Sequence, residues 1–120
     1  MLLAAALLPY LTVGAAKFGG SGSTYDNRRP RAWTERLAGW RQRAEWAHRN
    51  HFEAFPPFAA GVLVASFEHA PAGWTDLLAG VFVASRLAYT VAYCADRPLL
   101  RSGAWGVGLL CVVGLFLVAA

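Results

Sequence analysis

The stretch E-R-L-A-G-W-R-Q-R-A-E-W-A-H-R-N-H-F-E-A-F-P-P-F-A-A-G-V-L-V-A-S-F, residues 35–67, decides the fold class. Its first part, Glu35 to Glu53, is helical in composition and densely charged, whereas Ala54 to Phe67 carries no charge and is almost wholly apolar. A helix that changes character in this way projects from water and enters the bilayer, and the change falls near Asn50. Pro56 and Pro57 lie inside the apolar part and predict a bend or a local break in its hydrogen bonding. Thr34 reads as the N-cap, with Glu35 in the first turn where the helix dipole favours a carboxylate.

Outward from this stretch the pattern repeats. Met1 to Ala16 is apolar or small apart from Pro9, and with the residues to Gly20 it reaches the ~20 positions needed to cross a bilayer core. A secretory signal would carry a positive residue ahead of its apolar run, and none stands there, so a retained helix is expected. Gly19 to Trp33, rich in Gly and Ser with Arg28, Arg29 and Arg31, reads as a polar loop. Glu68 to Asp76 is a short turn without Lys or Arg. Leu77 to Ala95 is a third apolar run with Arg86 near its middle; Asp96 to Ser102 is a short basic turn, and Gly103 to Ala120 is the last run. The expectation is an all-α membrane protein, a four-helix transmembrane up-down bundle forming a single domain over residues 1–120. Its spans are expected at about residues 1–19, 48–68, 76–95 and 103–120, with a loop over 20–34.

Composition agrees. Only 15% of the 120 residues are charged and 57% are hydrophobic, against roughly 25% charged in a soluble domain. The net charge of +4 does not indicate nucleic acid, because the basic residues alternate with apolar runs instead of forming a surface that tracks phosphates. Membrane lipids are the expected surroundings. Lys17 and Arg28, Arg29, Arg31, Arg36, Arg41, Arg43 and Arg49 flank the first connection, and Arg97 and Arg101 lie in the third. By the positive-inside rule both connections are cytoplasmic and both termini lie outside. Trp33, Trp40, Trp74 and Trp105 fall near the expected boundaries, as interfacial anchors do. Cys94 and Cys111 have neither the spacing of a zinc site nor that of a disulfide framework, and Cys94 reads as a small buried hydrophobe.

Several polar residues demand partners. An arginine at a helix centre costs about 2.5–3.5 kcal/mol on insertion scales, so Arg86 is expected to face protein or water. Tyr89 and Tyr93 share its face. One reading pairs Arg86 with Glu53 in a structural ion pair; the other makes a polar pocket for an anion, with Arg86 as counter-charge and the tyrosines as donors. Arg43, Ala47, Asn50 and Glu53 form a second stripe at helical spacing. Glu53, at the threshold of the apolar run, wants an arginine or a ligand ammonium nearby. His48 and His51, with Glu45, make only a weak metal motif, and interfacial histidines are the expectation.

The motifs R-x-x-x-A-H-R-N-x-x-E (Arg43–Glu53) continuing to P-F at Pro57-Phe58, R-x-x-Y-x-x-x-Y (Arg86–Tyr93) and R-S (Arg101-Ser102) resemble the MAPEG family, the membrane-associated proteins in eicosanoid and glutathione metabolism. The similarity spans nearly the whole chain, and its details look most like a short bacterial branch. The resemblance implies a homotrimer in a bacterial inner membrane, with glutathione or another low-molecular-weight thiol as co-substrate in clefts between subunits and a lipophilic small-molecule substrate approaching from the membrane. It implies that Arg43, Arg49, Asn50 and Glu53 hold polar groups of the thiol compound, joined by Arg86, Tyr89, Tyr93 and Arg97. Arg101 with Ser102 would stabilise the thiolate, making the protein a transferase or peroxidase. Two departures stand out. Trp46 occupies the position where characterised members carry a second arginine four residues before the asparagine, and the third connection is one residue shorter. The competing readings are a non-catalytic member that binds a lipid or regulates a partner, and a small transporter or channel subunit.

Overall fold

The computed structural model describes residues 1–20 and 25–120. Five helices follow one another: α1 (Leu2–Phe18), α2 (Pro30–Thr34), α3 (Gly39–Phe67), α4 (Ala72–Cys94) and α5 (Pro98–Ala119), with no strand among the described residues. The expected loop over 20–34 includes residues 21–24, which lie outside the described residues. At 1.5 Å per residue α4 and α5 are each about 33–35 Å long, enough to cross a ~30 Å hydrocarbon core. Their mean hydropathies over the most apolar window are 1.5 and 2.1. α1 is apolar but shorter, at 17 residues.

The start of α3 departs from expectation. Pro30 at the first position of a helix has its φ already set and needs no N–H there, so a short helix begins inside the expected loop. Thr34 ends that helix instead of capping the next, and its hydroxyl donates to the Arg31 carbonyl at 2.9 Å. The chain then turns through Gly39, whose φ of +61° suits glycine, and α3 starts there. It continues through Pro56 and Pro57 to Phe67 as one helix.

α3 and α4 end alike. The αL residues are His69 (φ 53°) and Asp96 (φ 57°). The following amides fold back on the last turns, Ala70 N–H to Ala65 O and Arg97 N–H to Ala92 O, both 2.9 Å. This is the Schellman arrangement without its usual glycine. Pro71 and Pro98 follow at once, and each begins the next helix region. Connections this short make α3, α4 and α5 successive neighbours.

α3 packs against α1, α4 and α5, α4 and α5 pack on each other, and α1 also touches α4. The core joins Ala5, Phe58, Ala79, Phe82, Cys111 and Leu115. The rings of Phe58 and Phe82 stack at 3.9 Å and 4°. Gly61 lets α5 approach α3: a Cβ built there would stand 3.1 Å from Leu115 Cβ. Leu3, Leu7 and Leu11 on α1 and Leu110, Val113 and Leu117 on α5 stay exposed, as lipid-facing side chains do.

Two arginines on one turn of α3 close the ends of its neighbours. Arg41 donates from Nε to Ala16 O (2.7 Å) and from Nη2 to Lys17 O (2.8 Å), at the end of α1. Arg43 donates from Nε (3.2 Å) and Nη2 (3.0 Å) to Cys94 O, at the end of α4. A cation on the terminal carbonyls satisfies acceptors that the helix cannot and complements its dipole. These bonds tie the C-terminal ends of α1 and α4 to the same level of α3.

Candidate functional site

Arg86 is the centre from which the site is built. Only 2% of its surface is exposed. Its Nη2 donates to Asn50 Oδ1 at 2.8 Å and its Nε to His51 Nδ1 at 3.2 Å, while the guanidinium lies 4.2 Å from the Tyr89 ring centroid. Arginine carries no acceptor, so Nδ1 of His51 must be bare. The ring's proton then sits on Nε2, which donates to Thr90 Oγ1 at 2.8 Å, and Thr90 in turn donates to the Arg86 carbonyl at 3.0 Å. A closed loop of donors and acceptors thus links α3 to α4 with Arg86 inside it. Asn50 extends the loop outward, its Nδ2 donating to Glu53 Oε2 at 2.9 Å. Glu53 therefore reaches Arg86 through Asn50, where one of the two readings of the sequence paired them directly. The difference is one of height, since Arg86 lies level with Asn50 and His51 on the facing helix.

Three cavities adjoin this network and share Asn50. One of about 290 Å³ is lined by Asn50, Tyr89, Tyr93, Arg101, Ser102 and Trp105. There Arg101 lies 4.6 Å from the centroid of Tyr93, whose ring meets Tyr89 edge-on at 5.5 Å. A second, of about 530 Å³, is lined by Trp46, Arg49, Asn50, Glu53, Tyr89 and Tyr93. The third, of about 260 Å³, passes from Asn50, Glu53 and Arg86 to an apolar wall that includes Phe82, Leu109 and Val112. Cation, hydroxyl and carboxylate groups crowd one end of this cleft, and hydrocarbon lines the other. Such an amphipathic hollow accepts an anionic polar group beside an apolar one.

The residues singled out in the sequence divide accordingly. Asn50, Glu53, Arg86, Tyr89, Tyr93, Arg101 and Ser102 gather at the cleft. Arg49 borders it, bound at 2.8 Å to Glu45. Arg43 is engaged with the end of α4. Arg97 is exposed at the N-cap of α5 and lines none of the three cavities. His48 and His51 point apart: His48 Nδ1 lies 2.8 Å from the Pro9 carbonyl, so the two do not share a ligand. No group of three metal-ligating side chains occurs among the described residues. Sequence reasoning missed His51 and Thr90 as members of the network and treated Trp105 as an anchor. Thr90, one turn beyond Arg86, carried the available signal, since a hydroxyl at that spacing bonds the arginine's own carbonyl.

These features define an all-helical integral membrane protein with a polar cleft opening onto apolar helices. The chain belongs to the MAPEG family, whose family model matches residues 1–120. No curated protein and no solved structure matches the chain.

Proposed function

We propose that the protein activates a low-molecular-weight thiol, glutathione or a compound like it, for attack on lipophilic electrophiles or lipid hydroperoxides. The observation that carries this reading is the convergence of Arg101, Ser102 and the Tyr89–Tyr93 pair on a cavity that shares Asn50 and Trp105 with a neighbouring, more apolar one. A thiol with an ordinary pKa near 8.5 ionises at neutral pH only beside a cation or donors. Arg101 supplies the charge and Ser102 the hydroxyl. The thiolate then forms a bond to an electrophilic carbon, with the proton of the thiol passing to the leaving or opened group. With a hydroperoxide it takes one oxygen as sulfenate, and a second thiol completes the reduction to alcohol, disulfide and water. Phe82, Leu109 and Val112 receive the apolar part of the acceptor.

The face of α3 that carries Trp46, Arg49 and Glu53 is exposed in the single chain. Glu53, past the point near Asn50 where the helix enters the bilayer, would be costly facing lipid, which supports a homotrimer whose neighbours cover this face. The charge distribution supports cytoplasmic first and third connections, with both termini outside. Within the single chain the four long helices serve as the four spans.

Trp46, in place of a second arginine, favours one other reading: a non-catalytic protein that binds a lipid in the same cleft. Thiolate absorbance near the ultraviolet edge, read on the detergent-solubilised protein with glutathione, separates the two. A signal lost in Arg101→Ala supports activation. Binding of glutathione without any thiolate signal supports the non-catalytic reading. No binding at millimolar concentration removes glutathione as the ligand.

A further inference from the structure

A further cavity, of about 450 Å³, lies between α1, α2 and α3, and its walls include Val13, Lys17, Arg31, Glu45 and His48. Tertiary contacts hold those walls in place. Lys17 Nζ donates to the Tyr25 hydroxyl at 3.0 Å and lies 4.4 Å from that ring's centroid. Tyr25 in turn meets Trp33 of α2 edge-on at 5.2 Å. His48 donates from Nδ1 to the Pro9 carbonyl at 2.8 Å, joining α3 to α1. Glu45 is 7% exposed; its Oε1 accepts from Arg49 Nε at 2.8 Å, while Oε2 has no hydrogen-bond partner among the described residues. A carboxylate oxygen buried without a donor is costly, so this wall favours a ligand that brings one. Lys17 and Arg31 make no ion pair among the described residues. The lining thus sets Lys17, Arg31 and Arg49 against Glu35 and Glu45. An anion alone would meet two carboxylates and a cation alone three cations, whereas a zwitterion of phosphate and ammonium suits both signs.

We infer that this cavity binds the phosphoethanolamine head group of a membrane phospholipid: Lys17 and Arg31 take the phosphate, and the primary ammonium donates to Glu45. The ammonium has to carry protons, because a quaternary ammonium offers Glu45 no donor and is held instead by aromatic faces. No Phe, Tyr or Trp lines this cavity among the described residues. Val13, one turn inside the apolar helix α1 from Lys17, gives the cavity its apolar side, at the end of the helix where a head group meets its acyl chains. A lipid seated there fastens α2 to α1 and α3. The site is independent of the thiol chemistry.

The test compares dioctanoyl phosphatidylethanolamine with the phosphatidylcholine and phosphatidylglycerol of the same chain length, by native mass spectrometry of the full chain released from detergent. The ethanolamine lipid is expected to bind about tenfold more tightly than either, the effect of one charge-assisted hydrogen bond. Glu45→Gln, which removes the charge that the ammonium meets, should bring the ethanolamine lipid to the level of the choline lipid. Lys17→Gln and Arg31→Ser should each weaken the ethanolamine and glycerol lipids alike, and these two carry the test if Glu45→Gln fails to fold. Ethanolamine lipid that binds no more tightly than the other two, a preference that survives in Glu45→Gln, or an affinity unchanged in both cation variants overturns the inference. Water-soluble glycerophosphoethanolamine is the last probe. Weaker binding than the lipid supports the membrane source, and equal binding overturns that source while leaving the head-group chemistry in place.

Discussion

Arg86 Nη2 and Asn50 Oδ1 meet at 2.8 Å across the α3–α4 interface, and this hydrogen bond joins a buried charge to the open cleft. With His51 and Tyr89 it lets an arginine sit within an apolar helix pair without a carboxylate in direct contact. Removing one partner leaves the others desolvated and unpaired, so the loss exceeds the net value of the bond.

Arg86→Ala is accordingly expected to destabilise the protein by about 3–5 kcal/mol, because Asn50 and His51 lose their donor. Asn50→Ala should cost less, about 1–3 kcal/mol, since one guanidinium N–H is stranded while the others keep their partners. The double variant should fall short of the sum by about 0.5–3 kcal/mol. Denaturation in detergent measures all three, and strict additivity would mean that the residues act independently.

Arg43 and Arg101 are expected to separate stability from thiol handling. Arg43→Ala removes two charge-assisted bonds from the Cys94 carbonyl and should lower stability by about 1–3 kcal/mol. Arg101→Ala removes a half-buried cation from a cavity wall and should abolish thiolate absorbance with little change in unfolding midpoint. Parallel midpoints and absorbance spectra check the pair. Equal loss of absorbance in both variants would place Arg43 in the thiol site after all.

How much of this was legible follows from what a sequence encodes. Periodicity within one helix gave the face shared by Arg86, Tyr89 and Tyr93 and the stripe from Asn50 to Glu53. It could not give the relative height of two helices, and that height decides that Arg86 meets Asn50 and His51 while Glu53 stands one bond further out. His51 lies beside Asn50 in the chain, with nothing local to show that it turns toward α4. The short helix from Pro30 was hidden because its five residues bury little and only its proline announces it. The turns were expected over Glu68–Asp76 and Asp96–Ser102, but α4 and α5 begin earlier, at Ala72 and Pro98, directly after or on a proline. The left-handed residues His69 and Asp96 end the preceding helices where glycine is usual and leave the turns short.

Those two positions are expected to respond in a defined direction. A side chain with a Cβ is strained at positive φ, and aspartate tolerates it better than a β-branched residue. Asp96→Gly should raise stability by about 0.5–1 kcal/mol, and Asp96→Val should lower it by about 1–2 kcal/mol. His69 should follow the same order. Thermal unfolding in detergent reads the series, and a destabilising Asp96→Gly would show that the carboxylate contributes more than the backbone strain removes.

The close approach of α5 to α3 gives the last test. Gly61 is buried, and any added Cβ faces Leu115 Cβ at 3.1 Å and the Phe116 ring at 3.4 Å. Both neighbours belong to one helix, so relief requires α5 to move as a body. That movement would also disturb the cleft, because Trp105 and Leu109 sit on the same helix. Gly61→Val is therefore expected to cost about 1–3 kcal/mol and to weaken ligand binding at a distance from the substitution. Val62→Ala, on the same turn but only partly buried, should leave binding unchanged while costing some stability. Calorimetry and thermal unfolding on both variants distinguish a helix displacement from a general loss of packing: only the former lowers affinity in Gly61→Val beyond what its stability change accounts for.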